Sequence, residues 1–436
     1  MPAGTAHEIP RLRRAAEATF DVLTDHVGAY PYPRFTVVQP PLWAVATSAM
    51  EYPMLVGGMV GDRVLDRLPG VLLVEQVVAH EVTHNWFYGL LASNEQEEAF
   101  LDEGFTDYWT TRILEVLGPG GASGGTLAGR TWDEFERQRV RIARHMEEFR
   151  EPLARRPSGL FYPGSEADQV YARPSVTLRT AERLFGTRRL DAGFRLYFAR
   201  FALRHPGRAD FLAAMRDGGG ADLAAFLDEG LTRERVPDFA VVKLEAQRWE
   251  APLGVVPVAD GGTAEVTEAN RPARSEAGVG LDPAARESDG RVLMEVTDPG
   301  FLRPRGEERV GGVERRAVAP LRRAGAAPGA DGFWESRAHL DGPAWDHLPV
   351  DVEFRFADGV VLRDRWDGRA AWRGYRFLRA APLDEVRIDP DNVVIVDPRP
   401  DNNGCRRDGD RRFAGEWAAW LSGVLAFVEG GLTLWL

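Results

Sequence analysis

Residues 70–91 read GVLLVEQVVAHEVTHNWFYGLL, and within them His80, Glu81 and His84 stand in the spacing H-E-x-x-H. The run is apolar and free of proline, so it contains a long helix. On a helix, positions i and i+4 share a face, and the two imidazoles can meet one ion. Glu81 follows the first histidine directly, which aims it at a water beside that ion rather than at the ion itself. A catalytic zinc takes three protein ligands and keeps one position open. A third ligand must therefore come from elsewhere in the chain.

Downstream, EEAFLDEGFTDYWTTRILEVLG (97–118) reads as a second helix, stopped by Gly118-Pro119. Glu95, Glu97, Glu98, Asp102, Glu103 and Asp107 are the carboxylates within reach. Glu103 and Asp107 are four apart and share a face, so one can bind zinc while the other orients a ligand histidine through its second ring nitrogen. The reading takes Glu103 as the ligand and Asp107 as the orienting group. Asp102 is read as facing away, at the surface. Phe100, Phe105 and Tyr108 supply packing. The remaining histidines, at 7, 26, 145, 205, 339 and 347, are scattered singly and read as surface or packing residues.

The 436 residues are enough for two or three domains, with 44% hydrophobic and 28% charged residues as in ordinary globular proteins. A net charge of −12, spread along the chain, argues against a nucleic-acid partner. The single cysteine, Cys405, excludes an intrachain disulfide and a cysteine zinc cluster, and it suits a cytoplasmic protein. The first twenty residues hold no apolar core of signal-peptide length. Leu12, Ala16, Phe20 and Leu23 recur at helical spacing, and further helices are expected at 131–150, 173–186, 189–204 and 208–230.

Near Pro237 the pattern changes. DFAVVKLEAQRW reads as a strand, residues 258–345 are irregular with short strands such as RVLMEV, and PVDVEFRFADGVVLRDRW forms a hairpin around Asp358-Gly359. LDEVRIDPDNVVIVDP continues the strand pattern. The expected fold is α+β. A mainly helical catalytic domain (1–236) is followed by a β-sandwich-like domain (237–400) and by a linker with a C-terminal apolar helix (401–436). Residues 417–436 are strongly apolar with Glu429 their only charge, and a helix over 413–436 suits docking on the protein or a partner, with membrane-surface association as the alternative.

Taken together, these residues resemble the gluzincin metallopeptidases of the aminopeptidase N / leukotriene hydrolase family. Eighteen residues separate His84 from Glu103. SAMEY (48–52) is similar to the family's G-A-M-E-N exopeptidase motif, and VYARPSVTLRTAERLFG (170–186) resembles its tyrosine segment and the helix after it. HPGRADFLAAMRDGGGADLAAFLDEGL (205–231) is similar to the end of the family's catalytic domain. The resemblance runs over about residues 10–235 and continues more weakly into the β region. It implies a thermolysin-like catalytic domain with one Zn2+. Glu51, in a motif with Ala49 and Met50, would bind a substrate's free α-amino group. Tyr171 would donate its hydroxyl to the oxyanion. Ser48 and Tyr52 depart from the family's glycine and asparagine, and the family's N-terminal β domain and long C-terminal helical domain are expected to be missing, either in a compact variant or because the chain is a fragment of a larger protein.

The expected chemistry is zinc-dependent removal of N-terminal residues from peptides with a free N-terminus. Zinc on His80, His84 and Glu103 activates a water, Glu81 is the general base, and zinc and Tyr171 share the oxyanion charge. A zinc endopeptidase with an open cleft, or a non-catalytic peptide-binding module, are the competing readings.

Overall fold

The computed structural model describes residues 8–41, 49–58, 72–118, 125–127, 130–145, 165–248, 254–257, 263–266, 293–297, 334–342, 345–346 and 348–407. The expected apolar helix at 413–436, most of the stretch expected to be irregular, and Ser48 lie outside the described residues. By internal contacts the chain divides into two units. Among the described residues, one runs to Val236 and takes in Val393–Pro398, and the other comprises Pro237–Asn392 with residues 399–407.

The first unit is mainly helical. It contains α1 (Ile9–His26), α2 (Leu73–Thr83), α3 (Glu95–Glu98), α4 (Glu103–Leu117), α5 (Glu134–His145), α6 (Ser165–Val170), α7 (Ala172–Phe185), α8 (Thr187–Phe201), α9 (Arg208–Gly219) and α10 (Ala221–Thr232). A parallel pair joins β1 (Thr36–Val38) to β2 (Leu55–Gly57), and an antiparallel pair joins β3 (Gly125–Leu127) to β4 (Arg130–Trp132). Apolar residues appear on almost every side of α2 and α4, as expected for helices enclosed by others. Val74, Val78 and Val82 of α2 and Phe105, Trp109 and Ile113 of α4 are fully buried. Around them Phe87, Phe105, Phe194 and Phe211 meet edge-on or tilted, the arrangements that ring quadrupoles favour. α1 buries Leu12, Ala15, Thr19 and Leu23, while the half-buried Phe20 meets Tyr30, Phe35 and the fully buried Trp86.

Two local departures from the sequence pattern matter. The helix expected over 208–230 is two helices, because Gly220 adopts φ +111°, which a helix cannot contain. The helix expected from residue 97 is a short helix, a tight 3-10 turn at Ala99–Leu101, and then α4 from Glu103.

The second unit holds β5 (Ala240–Arg248), β6 (Gly254–Pro257), β7 (Thr263–Val266), β8 (Leu293–Thr297), β9 (Trp334–Asp341), β10 (Val350–Phe356), β11 (Val361–Trp366), β12 (Trp372–Arg379), β13 (Leu383–Ile388) and β14 (Gly404–Arg406). Two four-stranded sheets have the orders β11-β10-β13-β14 and β5-β9-β12-β8. Phe354 and Phe356 of one sheet pack against Tyr375 and Phe377 of the other. The hairpin at Asp358-Gly359 is present, with Gly359 at φ +83°. Within the stretch expected to be irregular, β9 is a full strand paired on both sides. Its inward positions include Ser336 and Ala338, too small or polar for the alternation to stand out. The strand pattern expected through 391–398 stops after Ile388. Val394, Ile395 and Val396 are buried in the first unit, where the Val396 N–H donates to Thr180 Oγ1 at 2.9 Å. Among the described residues no helix is long and apolar enough to cross a membrane.

Candidate active site

α2 delivers His80 from its last turn and His84 at its C-cap. Their Nε2 atoms face each other at 3.1 Å, and Glu103 Oε2, from the first residue of α4, lies 3.2 Å from both. One ligand atom from each of the three residues fits within a 4.8 Å span. Two ligands about 2.0–2.1 Å from one zinc at a tetrahedral angle stand roughly 3.3 Å apart, so this triangle has the size of a zinc ligand set.

The far side of each ring fixes which nitrogen looks inward. His84 Nδ1 lies 2.6 Å from Asp102 Oδ1, with both side chains 1% exposed. His80 Nδ1 lies 3.3 Å from Asp107 Oδ1. Each carboxylate can accept a hydrogen bond from the Nδ1–H, which turns Nε2 toward the shared point. Asp107, expected to orient a histidine, thus lies beside His80. Asp102 does not face away at the surface: it is buried against His84. The expectation assumed one continuous helix through Asp102 and Glu103. Here Asp102 sits in the turn before α4, at φ −91° and ψ −78°, outside that helix's facial pattern. Gln138 of α5, buried, donates from Nε2 to Asp107 Oδ2 at 3.4 Å and extends the relay on the His80 side.

The charges are tuned strongly. Burial opposes the His80 imidazolium, but Asp107 and Glu103 outweigh it and push His80 up to about 10. His84 is raised in the same way, with burial overcome by Asp102 and Glu103. Glu103 is lowered, since the two histidines outweigh the burial that would raise it. The raised values favour protons on both rings although their Nε2 atoms face each other at 3.1 Å. A divalent ion relieves that arrangement directly, and the donor set of two imidazoles and one carboxylate suits zinc.

Glu81 is buried, and burial is the main cause pushing its carboxyl up to about 7, against the pull of His80 and His84. Among the described residues its carboxyl has no hydrogen-bond partner, which leaves it available for a proton.

Tyr171 caps the N-terminus of α7, and its Oη donates to Glu103 Oε1 at 2.6 Å. Its ring lies nearly parallel to that of His80, with centroids 6.2 Å apart. Burial and the neighbouring carboxylate of Glu103 raise the phenol well above its ordinary value, so it stays a donor. Gly104 makes this approach possible, because a Cβ there would fall 2.1 Å from Pro174 Cγ. A side chain at 104 would drive α4 and α7 apart at the point where Tyr171 meets Glu103.

Glu51 is half-buried in an extended segment between Met50 and Tyr52, with Ala49 exposed and Met50 half-buried. It is close enough to Glu81 that its charge adds to the upward shift there. Ala49 and Met54 bracket it with positive φ of 54° and 62°. Asn85, the residue after His84, accepts a hydrogen bond at Oδ1 from the Met54 N–H at 3.0 Å. The sequence pattern gives Asn85 no role; its only signal is a polar residue directly after His84. The other described histidine side chains lie elsewhere: His26 against Asp191 at 2.6 Å, His205 on the Ala92 carbonyl at 2.9 Å, and His339 against Trp372. His7 and His347 lie outside the described residues, as does the side chain of His145.

Comparison with known proteins places this geometry in context. The peptidase family M1 domain matches residues 15–229. The alanine/arginine aminopeptidase of Saccharomyces cerevisiae is 23% identical over 243 residues, 53% of this chain and 26% of that protein. Aminopeptidase 2, mitochondrial, of the same yeast is 22% identical over 298 residues, 64% of this chain and 29% of that protein. The chain thus spans less than a third of the length of these curated relatives. Among solved structures, an M1 zinc metallopeptidase from Deinococcus radiodurans superposes with a TM-score of 0.42 at 19% identity, covering 54% of this chain and 47% of that one. Legionella pneumophila aminopeptidase A in complex with aspartic acid gives 0.45 at 12% identity, covering 86% of this chain and 33% of the other.

Proposed function

This chain belongs to the M1 peptidase family through residues 15–229, and on that premise we propose that it is a zinc-dependent aminopeptidase acting on peptides with a free N-terminus. The observation that carries the reading is the convergence of His80, His84 and Glu103, with each histidine's outer nitrogen held by a carboxylate. These three residues are the proposed ligands of one zinc ion, in a catalytic domain of thermolysin-like type. When bound, zinc supplies polarisation of the scissile carbonyl and acidification of the attacking water.

The protein's own groups do the rest. Glu81, held at about 7 mainly by burial, takes a proton from the attacking water and returns it to the leaving amine. A carboxyl poised near neutrality can do both. Tyr171, kept protonated, turns its hydroxyl from Glu103 toward the oxygen on which negative charge develops. Glu51 binds the substrate's α-ammonium, with Ala49 and Met50 lining the same approach. Because Glu51 has no cationic partner among the described residues, its charge is open to such a group. The cytoplasmic setting suggested by the lone cysteine belongs to the same proposal.

The test is hydrolysis of matched peptides with free and acetylated N-termini, with products identified by mass spectrometry. Release of the first residue from the free peptide alone is the expected result. Cleavage of an internal bond in the acetylated peptide would replace this reading with the endopeptidase one.

A further inference from the structure

Glu51 stands on a tight hairpin whose form is unusual. Met50 and Gly57 close it as an antiparallel bridge, with the Gly57 N–H donating to the Met50 carbonyl at 2.8 Å. At its tip the Leu55 N–H donates to the Tyr52 carbonyl at 3.0 Å, enclosing Pro53 and Met54. Proline at the first central position and φ +62° at the second define a type II turn. That turn asks for glycine at its second central position, and here the residue is methionine. Something outside the turn must hold Met54 in this conformation.

The type I and type II forms differ by a flip of the central peptide, which reverses the direction of the Met54 N–H. In this structure that N–H meets Asn85 Oδ1 at 3.0 Å. The same side-chain amide donates from Nδ2 to the Glu81 carbonyl at 3.4 Å. Asn85 is buried and lies directly after His84. One amide group thus joins the turn that follows Glu51 to the backbone of the helix carrying the ligand histidines and the general base.

We propose that Asn85 is a positioning residue that holds the Tyr52–Leu55 turn in its type II form and so sets where Glu51 stands relative to the metal site. This rests on the reading of Glu51 as the amine anchor. Asn85 touches no reacting atom. It acts by selecting one direction of one peptide plane, and Met54 makes that selection necessary.

The experiment compares the full-length protein with Asn85→Ala and with the double variant Asn85→Ala/Met54→Gly. Hydrogen exchange is followed by mass spectrometry on the fragment covering 50–57, and KM and kcat are measured on a free-amine peptide. Asn85→Ala should speed exchange at Leu55 and Gly57 about threefold to tenfold, the loss of one part-buried hydrogen bond. KM should rise by a similar factor, with kcat and zinc affinity each changing less than about twofold. Met54→Gly should reverse both effects, because glycine adopts the type II turn without help. Unchanged exchange in Asn85→Ala overturns the proposal. So does a rise in KM that comes with lost zinc affinity and is not rescued by glycine, since Asn85 would then act through α2. If the wild-type protein does not prefer free amines, the reading of Glu51 fails, and the exchange data alone decide whether Asn85 holds the turn.

Discussion

Replacing Asp102 by asparagine removes a charge from the shorter of the two aspartate–histidine contacts at the candidate site while keeping its shape. Asp102 Oδ1 and His84 Nδ1 are 2.6 Å apart and both side chains are 1% exposed, so solvent screens almost nothing. The carboxylate both fixes the ring and raises the basicity of its inward nitrogen. Loss of such a partner lowers metal affinity about 10–100-fold, or ~1.4–2.7 kcal/mol. Burial and the short contact place Asp102→Asn near the upper end of that range. Asp107→Asn is the internal comparison: its contact with His80 is 3.3 Å and its side chain is 14% exposed, so its cost should lie near or below about tenfold. Zinc affinity is measured by competition with a chromogenic chelator, on protein shown to be folded by circular dichroism. An Asp102→Asn affinity within twofold of wild type would refute the reasoning, and so would a larger loss in Asp107→Asn.

Two further predictions follow from the same geometry. Tyr171→Phe should lower kcat by about two to three orders of magnitude with little change in KM, as for loss of an oxyanion donor; an unchanged kcat would return the ring to a packing role. Zinc binding should release about one to two protons at pH 7, because His80, pushed up to about 10, and His84, also raised, are both protonated in the metal-free protein. Raised values mean that protons compete with the metal, so affinity should climb with pH up to about 10. Calorimetry in two buffers of different ionisation enthalpy reads the release, and zero or net uptake would contradict it.

The grouping of His80, His84 and Glu103 was legible in the sequence because it is local. His80 and His84 need only a helix, and Glu103 needs only to open the next one at a suitable distance. Asp102 was misread because facial arguments fail at a helix start. Its role depends on where α4 begins, and the 3-10 turn at Ala99–Leu101 moved that start by several residues. Gln138 and Asn85 were invisible for a different reason: each acts across elements, on Asp107 and on Met54, and no periodicity links such pairs. In the second unit β10 and β11 were readable from alternation and from a glycine turn at Gly359. β9 was not, because its inward residues Ser336 and Ala338 do not mark a buried face by type. Residues 393–398 look like a strand by composition, yet they are assigned to no strand, while Val394, Ile395 and Val396 are buried, since burial alone also selects valine and isoleucine.

Glu81→Gln tests the account most directly when zinc content and peptide turnover are measured on the same preparation. Glutamine keeps the shape of the side chain but cannot accept and return a proton. One zinc per chain is expected in wild type and variant alike, with turnover of a free-amine peptide lowered by about 10²–10⁴-fold in the variant. Turnover that persists in Glu81→Gln, or wild-type protein that hydrolyses the peptide without zinc, would contradict it.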